Sequence, residues 1–159
     1  MKLVKLLSNL LKALTVVIFS ALIFVVLIQI TGRYTSFSFV WTEEVSRFLF
    51  IFAIAVSAPL AMEKREYVRV DFLLEVIPDQ IKKYVDAVIY LIIGCFSAFL
   101  IYYAYEFALL GQNQSSATLA VEMYYINLSM VILFVLLALY SFINIFAVLK
   151  NSQEEGVRQ

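Results

Sequence analysis

The chain contains no histidine among its 159 residues, and that absence excludes more chemistry than any residue present suggests. Without imidazole it cannot supply a bis-His haem, a His-rich zinc or iron site, or a His-based triad or proton relay. A single cysteine, Cys95, cannot form an intramolecular disulfide or a CxxC redox pair. Its apolar surroundings give it the role of a small packing residue. Four glycines and two prolines are too few for the broken helices on which transporters build ion sites. Charge is also scarce: 15% of residues are Asp, Glu, Lys or Arg, where soluble domains carry about a quarter.

What replaces charge is apolar surface. Hydrophobic residues make up 64% of the chain and mean hydropathy is +0.93, the composition of an integral membrane protein. Twelve basic residues offset twelve acidic ones, so net charge points to no nucleic acid or other polyanionic partner. The charge-free stretches are 13–32, 48–62, 87–105 and 123–149. Against the ~20 apolar residues that span a bilayer, they predict an all-α membrane protein with four transmembrane helices. The expected spans are about 12–33, 42–63, 79–108 and 123–149, within one membrane domain covering 1–159. Lys2, Lys5 and Lys12 precede the first run as in a signal peptide, but the run exceeds an h-region of about 7–15 residues and lacks an A-x-A site, so it is expected to stay uncleaved.

Basic residues set the orientation. Ten lie in the N-terminus, the 63–86 loop and the C-terminal tail; only Arg33 and Arg47 lie on the other side. Both termini are therefore expected in the cytoplasm, with the 107–122 loop outside. The pairs Tyr102–Tyr103 and Tyr124–Tyr125 flank that loop at interface height. In the cytoplasmic loop, "RVDFLLEVIPDQIKKYVD" mixes apolar and charged residues, which suits a short interfacial helix within 63–80. Pro78 and Asp79 suit the start of the third span. The polar tail from Asn151 is expected to fray.

The second charge-free run is too short. Fifteen residues rise about 22 Å, against a hydrocarbon core of about 30 Å, so the helix must extend into "WTEEVSRFLF". Starting at Thr42 as N-cap, it places Glu43 and Glu44 at the positive helix end and Trp41 at the interface. Capping does not explain Arg47. At about 100° per residue, Glu43, Arg47, Ile54, Ser57, Ala58 and Ala61 share one side, an ion pair followed by small residues. Such a face suits another helix, because small side chains permit close approach in lipid and ionisable groups there face protein or water. Gly94 and Ala98 repeat the small-residue spacing on the third span, and Asn127, Ser129, Ser141 and Asn144 scatter polar groups on the fourth. No carboxylate or amine lies mid-span, where a proton- or ion-coupled carrier would place one.

These residues resemble the small membrane subunit, DctQ-like, of tripartite ATP-independent periplasmic (TRAP) transporters. Similar proteins have four helices, a first loop ending in Trp-Thr-Glu-Glu with a basic residue soon after, and a basic-His-Ile/Val-x-Val-Asp pattern in the cytoplasmic loop. Here these read Arg33-Tyr34, Trp41-Thr42-Glu43-Glu44 with Arg47, and Lys64-Arg65-Glu66-Tyr67-Val68-Arg69-Val70-Asp71. A later stretch of the family looks like Gly111-Gln112 through Ser115, Ser116 and Leu119. The chain departs from the family at Tyr67, where His is common, and at Glu122 and Tyr124, where Pro and Trp are common.

The resemblance implies a non-catalytic scaffold in the bacterial inner membrane, with no cofactor of its own. Its implied partners are a large polytopic membrane subunit that binds sodium, a periplasmic binding protein that delivers a carboxylate such as sialic acid or a C4-dicarboxylate, and membrane lipids. Trp41, Glu43, Glu44, Arg47, Ser57, Ala58 and Ala61 are the candidate contacts with the large subunit; Arg69 and Asp71 are a structural motif of the cytoplasmic loop. Three other readings compete: a stand-alone four-helix exporter acting as a homo-oligomer with Glu43, Glu44 and Glu106 in a shared cavity, a membrane enzyme, and a generic assembly factor.

Overall fold

A computed structural model describes residues 2–34, 39–63 and 79–156. Four long helices carry the architecture: α1 (Lys2–Tyr34), α2 (Val40–Glu63), α3 (Asp79–Leu110) and α4 (Met123–Gly156). A short 3-10 turn, Gly111–Asn113, follows α3. All four helices are long and apolar enough to cross a membrane. The proposed interfacial helix, and with it Arg69 and Asp71, lies outside the described residues. The backbone of α4 continues as helix to Gly156, past the apolar span that ends at Val148, so the described part of the tail is helical rather than frayed.

The helices form an open row. α1 packs on α2, α2 on α4 and α4 on α3, so that α1 and α3 stand at the two edges. The protein is thus two helical hairpins, α1–α2 and α3–α4, joined along the seam between α2 and α4. In lipid there is little hydrophobic drive between helices, so close approach and internal polar contacts must hold the seams. On α3 the buried positions are Tyr90, Gly94, Ser97, Ala104 and Ala108, a stripe of mostly small residues at heptad-like spacing that faces α4. Gly94 allows the close approach there: a Cβ would stand 3.0 Å from Ser141 Oγ and 3.2 Å from Ser141 Cβ, tighter than ordinary contact.

Two sequence expectations change on α3. Ala98 is exposed and Ser97 takes the interior position, one residue earlier than a Gly-x-x-x-small spacing suggests. Cys95 is exposed rather than packed inside, because Gly94 beside it occupies the seam.

The polar residues of α4 work inside the chain. Ser141 donates to the Tyr90 carbonyl across the α3–α4 seam. Asn144 Nδ2 donates to the Met62 carbonyl at 3.1 Å, satisfying one of the acceptors that the end of α2 leaves without a helical partner. Asn127 Nδ2 stands 3.5 Å from the Phe107 carbonyl, another helix-end acceptor, at the C-terminus of α3. Ser8 on α1 meets Tyr140 on α4. The outward faces of α1 and α3 remain apolar, with Leu6, Val16, Phe24, Phe96 and Phe99 all more than half exposed, as lipid contact requires.

Candidate subunit-contact site

α2 begins two residues before the expected cap. Val40 and Trp41 are already helical, and Thr42, 1% exposed, turns its hydroxyl back to the Phe39 carbonyl at 2.6 Å. Thr42 is therefore a buried first-turn residue and not the N-cap; its hydroxyl binds an acceptor behind it instead of an orphan N–H ahead. Trp41 is 40% exposed and meets the Phe39 ring edge-on at 6.3 Å.

The two glutamates that follow have different jobs. Glu43 points outward and accepts from Arg47 Nη2 at 3.1 Å, with both side chains about two-thirds exposed at 66% and 65%. An exposed i,i+4 pair of this kind stabilises a helix by only about 0.3–0.5 kcal/mol, so local stability is a weak reason for it. Phe50 and Ile54 continue the exposed line along α2 at 51% and 42%. Phe50 escaped the sequence reading, which looked for small residues; its i,i+3 relation to Arg47 is the signal that could have found it.

Farther along, Ser57, Ala58 and Ala61 are half-buried and line an open groove whose other wall is Lys12, Thr15 and Val16 of α1. The sequence-predicted face therefore divides. Glu43 and Arg47 lie on an outward stripe with Phe50 and Ile54, while the small residues lie against the flank of α1.

Glu44 turns the opposite way. Its Oε1 accepts from the Ala117 N–H at 3.0 Å, and its Oε2 from Thr118 at 3.1 Å and Leu119 at 3.0 Å. Three consecutive amides converging on one carboxylate form an anion-binding nest, filled here by the chain's own side chain. The loop they belong to is ordered by an isolated antiparallel bridge between Ser115 and Glu122, by Ser116 N–H to the Val121 carbonyl at 2.9 Å, and by Met123 N–H to the Gln114 carbonyl at 2.9 Å. Glu44 is thus engaged within the chain. No local pattern announces a contact across 73 to 75 residues; the one hint is a loop without charge or bulk at 115–118.

Glu106, the third glutamate, accepts from the Tyr102 hydroxyl at 2.7 Å. All three glutamates lie toward the end of the row that carries the 111–122 loop, each with a partner of its own.

Residues 22–151 match the family described as tripartite ATP-independent periplasmic transporters, DctQ component. Among curated proteins, the sialic acid TRAP transporter permease protein SiaT of Haemophilus influenzae is 29% identical over 77 residues, 48% of this chain. The chain matches only 12% of that relative's length. With four spanning helices in place and the family match covering more than half of its residues, the chain belongs to the DctQ component family of TRAP transporters.

Proposed function

We propose that this chain is the small, non-catalytic scaffold of its transporter, holding a large sodium-coupled membrane subunit in the bacterial inner membrane. The observation that carries the reading is the outward stripe of α2, where the exposed Glu43–Arg47 pair leads into Phe50 and Ile54. An ion pair at the membrane boundary gains most when a second protein surface excludes lipid and shares the arginine's remaining donors. The open row favours the same reading, since a scaffold needs exposed helix faces and α2 keeps Glu43, Arg47, Phe50 and Ile54 exposed beside its packing on α1 and α4. Solute and sodium belong to the large subunit in this scheme, with a periplasmic binding protein as the source of solute. The name of the Haemophilus relative supports sialic acid as the solute, with C4-dicarboxylates as the other carboxylate class.

Co-purification in mild detergent tests the scaffold. The chain should bring down a much larger polytopic subunit, and Arg47→Ala should lower its recovery more than Arg33→Ala. A stable, transport-competent homodimer would overturn the proposal. Sodium-driven uptake in vesicles holding both membrane subunits and the matching binding protein identifies the solute.

A further inference from the structure

We propose that the turn at 117–119 is a strap which Glu44 holds shut against a strained Ala120, so that the loop end of the row has a latched and an unlatched state. Two independent features carry this. The first is the three-amide nest: Ala117, Thr118 and Leu119 all aim their N–H groups at one carboxylate on the other hairpin. A charged acceptor makes such bonds stronger than neutral ones, and removing it leaves three donors facing the same empty point. The second is Ala120, at φ 53° in the left-handed region, the one non-glycine residue there among the described residues. A Cβ makes that region unfavourable, so the conformation persists only while its surroundings enforce it.

The local bonds of the loop, Ser116 to Val121 and Met123 to Gln114, lie behind the turn and do not reach α2. Only Glu44 ties the turn to the α1–α2 hairpin among the described contacts of this loop. Latched, the strap fastens the two hairpins at this end, while Asn144–Met62 and Ser8–Tyr140 join them elsewhere. Unlatched, the turn relaxes Ala120 and exposes its amides, and the α2–α4 seam loses its tie at the loop end.

Amide hydrogen exchange by NMR, on the full chain in lipid nanodiscs, tests the strap. Glu44→Gln keeps the side chain's size but replaces one acceptor oxygen with a donor that opposes the amides. It should speed exchange at 117–119 by about tenfold or more while leaving α4 amides unchanged, the signature of a local opening. Glu43→Gln should match the wild type. Ala120→Gly removes the Cβ penalty and should slow exchange at 117–119. Wild-type exchange in Glu44→Gln overturns the latch, and unchanged or faster exchange in Ala120→Gly overturns the strain. Should Glu44→Gln fail to fold, Glu44→Asp takes its place: it keeps the charge but draws the carboxylate back by one methylene, so it should speed exchange at 117–119, and wild-type exchange there overturns the latch. None of these readouts depends on a large subunit, so the strap and the scaffold succeed or fail separately.

Discussion

Ser8 Oγ lies 2.8 Å from the Tyr140 hydroxyl, both residues 1% exposed, joining the first helix to the last across 132 residues. Ser8 Oγ also donates to the Val4 carbonyl at 2.9 Å, so it sits between its own helix and the tyrosine. Tyr140→Phe should lower stability by about 1 kcal/mol, the usual net worth of one hydrogen bond. Ser8→Ala removes the same contact and should also lower stability by about 1 kcal/mol. Thermal unfolding of both single variants and the double variant in detergent measures the coupling. Strict additivity of the two losses would mean that the contact does not hold the helices together.

The α3–α4 seam is sensitive to a single methyl group. Gly94→Ala places a carbon against Ser141 Oγ and Cβ, two atoms fixed by burial, and overpacking of this kind typically costs about 1–3 kcal/mol. Cys95→Ala, one residue away on the exposed side, should be nearly neutral. Melting temperatures of the two variants make the comparison, and equal values would place both residues outside the seam.

How far these seams can be read from sequence depends on the kind of contact. The spans are legible because 20 or so apolar residues have few other uses, and the shortage at 48–62 correctly required α2 to extend through the glutamates. The starting turn was less legible: Thr42 fits an N-cap by residue type, but a helix that begins at Val40 leaves it inside the first turn. The sequence angle placed Glu43, Arg47 and Ile54 together on one side of α2, where they stand exposed. It could not say that α1 would flank Ser57, Ala58 and Ala61, because periodicity describes one helix and says nothing of its neighbours. The same limit hid the jobs of Asn144, Ser141 and Glu44, whose acceptors and donors are backbone groups far along the chain.

Asn144 offers a test with an ordering rather than a single loss. Its amide donates to the Met62 carbonyl, an orphan acceptor at the end of α2. Asn144→Ala removes the bond and should cost about 1 kcal/mol. Asn144→Asp should be worse despite its nearly identical shape, since an ionised carboxylate is acceptor-only and turns oxygen toward the carbonyl oxygen. Thermal unfolding at neutral pH should rank wild type above Asn144→Ala and Asn144→Asp below both. An Asp variant as stable as wild type would mean that the bond to the Met62 carbonyl contributes nothing to the α2–α4 seam.

The direction of the row in the membrane rests on ten basic residues against two, and it can be read by labelling. In a Cys95→Ser background, Asn113→Cys places one thiol in the exposed 3-10 turn beyond α3. A membrane-impermeant maleimide added to intact spheroplasts should label this variant fully. Asn9→Cys, at an exposed position near the start of α1, should react only after the cells are opened. The charge asymmetry makes this outcome steep, because each Lys or Arg near a span end resists translocation and the N-terminus alone carries three. The Glu44 strap and the Glu43–Arg47 stripe would then share the periplasmic end. The reverse labelling pattern would put both on the cytoplasmic side, and contact with a periplasmic protein at that end would be impossible.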